Sequence, residues 1–267
     1  MATKTTKKAK TANKQNTKKA AVVLIIVCIL SVLAITIHSA SSDNSNEESN
    51  LINLNKSVAY GIDVSHHNGK IDWKKVKNEV DFAFIRVGYR TYDKGTVCLD
   101  KKAKSNLKSA NKNAVPIGVY FYSQAINEEE AEEEASFVLT EIKDYDISLP
   151  VVIDFEYATK NGKNVGRLSE ANLTKKEKTA LINAFCKKVK NAGYTPAVYA
   201  SSYIFKSHIN VKKLDEDIMI WVADYNDEVT YSGDYDFWQF SEKGKCKGVS
   251  SKYVDTNYWY IKTEENN

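Results

Sequence analysis

The chain has 267 residues and a formal net charge of +4, a length that suits one large domain with an appendage rather than a small cross-linked module. The charge is lopsided, because seven lysines precede Ala20 and no acidic residue precedes Asp43, which leaves 31 basic against 34 acidic side chains elsewhere. The body of the protein therefore lacks the cationic surface that dominates nucleic-acid affinity, which argues against nucleic acid as a partner.

Residues 1–19 are mostly Lys, Thr, Ala and Asn. They offer too little apolar surface to offset the entropy of ordering, so a disordered basic tail is expected. Residues 20–37 form an unbroken apolar run, which as a helix spans roughly 27 Å and just crosses a bilayer core. Lysines on its N-terminal side place the tail in the cytoplasm and export the remainder. A cleaved signal peptide is the other reading, since Ser39, Ala40, Ser41 and Ser42 are small enough for a peptidase. Both readings export the same domain. Residues 38–57, rich in Ser, Asn and Glu, read as a flexible stalk.

From Val58 onward short β-rich runs alternate with amphipathic stretches. Strands are expected over 59–64, 82–87, 116–123, 150–155, 195–200, 219–223 and 236–240. Helices are expected over 73–78, 101–112, 128–143 and 175–192, and more weakly over 211–214. Strands such as Val-Val-Ile-Asp-Phe are apolar on both faces, so the alternation predicts an α/β fold around a parallel sheet or barrel.

In a barrel, charges that no core would tolerate should gather at the C-terminal strand ends. Asp63, Asp154, Glu156 and Asp224 all end apolar strands; any one of them taken singly could equally be a helix cap. Asp154 and Glu156, two residues apart on one strand, project from the same face with their backbone about 6.6–7 Å apart. Two carboxyls so placed in a desolvated cleft raise one another's proton affinity, as a general acid for glycoside cleavage requires. Tyrosines and tryptophans crowd the same strand ends, and Tyr120, Tyr122, Tyr157, Tyr199 and Trp238 are candidates to stack on sugar rings. Arg86 and His66 are further candidate substrate contacts. His66 and His67 lack zinc-ligand spacing, and Cys28, Cys98, Cys186 and Cys246 are too scattered for a zinc site or disulfide framework. No metal or cofactor is implied, and no serine-hydrolase elbow or phosphate loop occurs.

The blocks YGIDVSHHNGKIDW, PIGVYFYS, VVIDFEY, YTPAVYASSY, IWVADYN, DFWQFSEKG and VDTNYW resemble, in order and spacing, the family 25 glycoside hydrolases, the bacterial and phage-type lysozymes. The similarity runs over residues 58–261, with 263–267 as a tail. It implies a flattened, irregular TIM-like β/α barrel that cleaves the β-1,4 bond between N-acetylmuramic acid and N-acetylglucosamine in peptidoglycan without a cofactor. By motif position it implies Glu156 as general acid and Asp154 as the group that orients the substrate's 2-acetamido substituent. Asp63 and Asp224 match the family's other acids, and Asp255 a further acid near the groove. Asn68, where glutamine is often found, and the unusual stretch 161–175 depart from the pattern. A silent glycan-binding module and a hydrolase of another N-acetylglucosamine polymer are the competing functions.

Overall fold

The computed structural model describes residues 57–262. The expectations placed on the basic tail, the apolar run 20–37, the stalk up to residue 56 and the tail 263–267 lie outside the described residues. Among the described residues no helix is long and apolar enough to cross a membrane.

The chain opens with β1 (Val58–Val64), a 3-10 turn (His66–Asn68) and the short α1 (Trp73–Val76). β2 (Phe82–Arg90) turns back into β3 (Val97–Leu99), and α2 (Ala103–Lys112) leads to β4 (Ile117–Ser123). Next come α3 (Glu128–Ile142), β5 (Val151–Phe155), a hairpin of β6 (Thr159–Lys160) and β7 (Lys163–Asn164), and α4 (Arg167–Glu170). α5 (Lys175–Asn191), β8 (Pro196–Ser201), α6 (Ser202–Ser207) and a 3-10 turn (Val211–Lys213) precede β9 (Met219–Ala223). β10 (Phe237–Gly244) and β11 (Val254–Tyr260) complete the chain without intervening helices.

The strands follow the order β1-β11-β10-β9-β8-β5-β4-β2-β3, and a parallel pairing of β1 with β2 closes eight of them into a barrel with β3 as an appended edge. Neighbours from β1 through β2, β4, β5, β8 and β9 to β10 run parallel. β11 alone runs antiparallel to both of its neighbours. The α/β barrel expected from the alternation is thus present, with an antiparallel return strand in place of the usual last βα unit. The weak helix expected over 211–214 is a single 3-10 turn.

Alternate residues build two cores. Ile62, Val119, Phe121, Leu181 and Phe185 belong to the layer between sheet and helices. Phe82, Phe84, Val152, Trp221 and Phe237 fill the barrel, where Phe84 stacks on Trp221 with ring centroids 4.4 Å apart. Such close filling needs glycines opposite the rings. Gly61 pairs with Phe82 and Gly118 with Phe84, and a Cβ there would lie 2.5 and 2.3 Å from those rings. With the barrel's lower half packed by aromatics, inward-facing residues at the C-terminal strand ends meet an open cleft instead of a core.

Candidate active site

A cleft of about 850 Å³ opens at those strand ends. On β5, Val152 belongs to the barrel interior, so Asp154 and Glu156, two and four residues on, continue the same inward face and line the cleft. Asp63 reaches it from β1, Arg86 from β2, Tyr120 and Tyr122 from β4, Tyr199 from β8 and Asp255 from β11.

Asp63 is held by two neutral donors, Gln239 Nε2 at 2.8 Å and Asn257 Nδ2 at 2.9 Å. Both amides are fixed in turn. The hydroxyls of Tyr199 and Tyr225 donate to Gln239 Oε1 at 2.8 and 2.7 Å, and Trp221 Nε1 donates to Asn257 Oδ1 at 2.9 Å. This order of donors keeps Asp63 an acceptor. Asp255 stands opposite it in the β1–β11 register, and burial together with the Asp63 charge pushes the Asp255 carboxyl up to about 8.

The β5 pair is poised differently. Burial, reinforced by the neighbouring Glu156 charge, pushes Asp154 well above the usual carboxylate range. Its Oδ1 is buried with no hydrogen-bond partner among the described residues. Burial and the Asp63 charge raise the partly exposed Glu156 to about 7, against an opposing pull from Arg86. The pair therefore retains a proton at neutral pH. Arg86 itself is spoken for: its Nε and Nη2 each lie 2.9 Å from Asp100 Oδ2, with Nη2 2.8 Å from His66 Nδ1. Asp100 also accepts the His66 backbone N–H at 3.1 Å, so it holds the loop after β1 as well as the guanidinium. Burial, then the charges of Glu156 and Asp154, keep the Tyr122 phenol protonated, as burial does at Tyr120 and Tyr199.

Asp63, Asp154, Glu156, Asp255, Arg86, His66, Tyr120, Tyr122 and Tyr199, all singled out from sequence, converge on this one cleft. Asp224, Tyr157 and Trp238 do not line it, and strand alternation gives the reason. Each stands one residue out of step with an inward-facing neighbour: Ala223, Glu156 and Phe237 or Gln239. The Asp224 carboxylate is occupied within the protein, accepting Ser202 Oγ at 2.6 Å, Thr230 N and Oγ1 at 2.8 and 2.7 Å, and Asn226 Nδ2 at 2.5 Å. Burial alone would raise it, but these donors hold it well below the usual range. It fastens the loop after β9 to α6. Trp238 Nε1 donates to the Asp224 carbonyl at 2.7 Å and serves the same loop. Sequence reading missed Gln239, Asn257 and Asp100. The first two had a signal, a polar residue breaking the apolar pattern of WQF and TNYW; Asp100 had none.

A closed β/α barrel with paired carboxyls at one strand end, ringed by tyrosines, defines a glycosidase-type site. The chain belongs to the glycosyl hydrolases family 25, whose family model matches residues 62–249, and it is a glycoside hydrolase. It is 27% identical over 220 residues to the uncharacterized protein YegX of Escherichia coli K12, covering 77% of this chain and 71% of YegX. It is similar to the modular autolysin LytC of Streptococcus pneumoniae, solved with a synthetic peptidoglycan ligand, with a TM-score of 0.64 and 30% identity. That match covers 76% of this chain but only 47% of LytC, so the chain spans about half of that protein's length. A family 25 glycosyl hydrolase from Bacillus anthracis shares the fold, with a TM-score of 0.61, 24% identity and coverage of 77% and 90%.

Proposed function

We propose that the protein is a peptidoglycan muramidase that hydrolyses the β-1,4 bond between N-acetylmuramic acid and N-acetylglucosamine, with Glu156 as general acid. One observation carries this reading: a buried acceptor without a partner, Asp154 Oδ1, sits two residues from a carboxyl that titrates near neutrality. An N-acetylated sugar supplies the missing donor. When its acetamido N–H binds Asp154, ionisation of Asp154 is favoured and the pair's proton settles on Glu156, which can then protonate the leaving oxygen. The acetamido carbonyl oxygen, oriented by the same hydrogen bond, is aimed at the anomeric carbon as it loses that oxygen. Asp63 adds negative potential that stabilises the oxocarbenium-like centre. Tyr120, Tyr122 and Tyr199 offer ring faces to the sugars and the first two also hydroxyl donors, with Arg86 and His66 at the cleft's β1–β2 side.

The peptidoglycan ligand of LytC and the family membership support this substrate class. The apolar run 20–37 behind its lysine flank supports a cytoplasmic N-terminus and a catalytic domain tethered outside the membrane, where a short stalk raises its effective concentration at the wall. The test is digestion of peptidoglycan by the purified protein and by Glu156→Gln, with mass spectrometry of the soluble fragments. Fragments ending in reducing muramic acid from the wild type alone are expected, with chitin oligomers left intact. Chitin cleavage would move the assignment to another N-acetylglucosamine polymer, and undigested glycan in both samples would sink the hydrolytic reading.

A further inference from the structure

Tyr157, turned out of the cleft, belongs to a second cluster. Lys175 and Lys178 stand three apart on α5, Tyr203 and Lys206 three apart on α6, and His208 follows α6 directly. The His208 ring meets the edges of Tyr157 at 5.5 Å and Tyr203 at 5.3 Å. Lys178 Nζ lies 5.7 Å above the Tyr157 ring and 3.3 Å from His208 Nδ1. Lys178 is only 7% exposed, whereas Tyr203 is 63% exposed.

The polar partners of these amines are all neutral. Lys178 meets the imidazole, Lys175 the Lys206 carbonyl at 3.2 Å, and Lys206 the Thr230 carbonyl and hydroxyl at 3.3 and 3.1 Å. None of the three pairs with a carboxylate among the described residues. A nearly buried ammonium without a counter-charge is costly, and an anion arriving beside it relieves that cost. An ammonium can only donate, so His208 Nδ1 is the acceptor and its Nε2 carries the proton. Burial, then the charges of Lys178 and Lys175, favour this neutral form. The imidazole Nε2–H has no partner among the described residues, and the ring stands between those of Tyr157 and Tyr203, within reach of the Lys178 and Lys175 charges.

We infer that this cluster of Lys178, Lys175, His208, Tyr157 and Tyr203 binds a carboxylate of the peptide stem carried by the muramic acid residue at the cleaved bond. The inference rests on the muramidase reading. Tyr157 directly follows Glu156, so the cluster begins one residue from the acid, and its unpaired positive charge complements the carboxylates that a peptide stem carries. Two tyrosine rings flank the N–H donor and suit the apolar parts of a peptide, while the amines select its carboxylate over its amide. The site would thus distinguish wall whose stem carboxylates are free from wall in which they are amidated.

The test is calorimetric binding to the full-length protein carrying Glu156→Gln, which keeps the glycan intact. The probes are a disaccharide with a free-carboxylate stem, the same fragment amidated, the peptide-free disaccharide, and an oligoglycerol phosphate. Amidation is expected to weaken binding about tenfold. That difference should vanish when His208→Phe or Lys175→Gln is added, with affinity for the peptide-free disaccharide unchanged. Equal affinity for free and amidated stems in the parent protein would overturn the inference without touching the muramidase reading. So would tight binding of oligoglycerol phosphate without stem preference, which would assign the cluster to a phosphate-bearing wall polymer. Failure to bind any fragment, the peptide-free disaccharide included, would sink the muramidase reading and this one with it.

Discussion

Replacing Glu156 by glutamine should stabilise the domain, and should do so only above the acidic range. Glu156 is raised from the ordinary 4.5 to about 7 in the folded protein. Between those values the folded state holds a proton that the unfolded chain has released, so wild-type stability falls as pH rises from about 4.5 to 7 and levels off above. At about 1.36 kcal/mol per tenfold, the full penalty is roughly 3 kcal/mol; partial exposure of the carboxyl lowers this to about 2 kcal/mol. Glutamine keeps the shape and never ionises. For a domain near 200 residues, about 2 kcal/mol corresponds to a rise in Tm of roughly 4–8 °C. Calorimetric melts of both proteins at pH 4.5 and pH 8 should show almost no difference at the first and this rise at the second. The same Tm difference at both pH values would refute the argument, because it would mean that Glu156 ionises equally easily folded and unfolded.

Hydrolysis should fall about tenfold per pH unit above roughly 7, as Glu156 loses its proton. Asp100→Asn, which frees the Arg86 charge to act on the cleft, should move that limb several tenths of a pH unit lower; an unmoved limb in pH–rate profiles would contradict the assigned pairing. Gln239→Leu leaves two tyrosine hydroxyls without an acceptor and Asp63 with one donor fewer, so a loss of about 2–4 kcal/mol in urea denaturation and a large fall in kcat/KM are expected. Gly118→Ala places a methyl 2.3 Å from the Phe84 ring and 2.8 Å from the Pro150 carbonyl. It should cost about 3 kcal/mol, with part of the loss recovered by adding Phe84→Leu; a Gly118→Ala melt equal to wild type would show that the barrel interior is looser than these contacts imply.

The barrel was legible because its parallel strands are apolar on both faces and separated by helices with a clear 3.6-residue period. The placing of Asp154 and Glu156 in one cleft was legible because a two-residue spacing fixes a common face whatever the rest of the fold does. The same alternation misled where only one acid was present. Asp224 ends an apolar strand as Asp154 does, but nothing in a single residue tells which face it takes, and here it falls one step away from the inward Ala223. β11 escaped because two of its three inward positions are Asp255 and Asn257, with only Trp259 apolar, so the strand that completes the barrel lacks the apolar period by which strands are recognised. Asp100 sits outside any periodic element, and only the tertiary fold brings it beneath Arg86.

The site's charge balance follows from that last contact. Asp63, Asp154, Glu156 and Asp255 share the cleft, with Asp93 and Glu242 also lining it, and Arg86 is nearly neutralised by Asp100 at 2.9 Å. A free guanidinium would pull harder on these acids and lower their affinity for a proton. Instead the donors that reach Asp63 are neutral amides, which orient its carboxylate without bringing a positive charge into the cleft. Burial, and after it the negative charge of Asp63, raise Asp255 and Glu156. Paired arginine, amide-held Asp63 and partnerless Asp154 are therefore one arrangement: together they keep a proton on the cleft's acids near neutral pH and leave one buried acceptor for an incoming N–H.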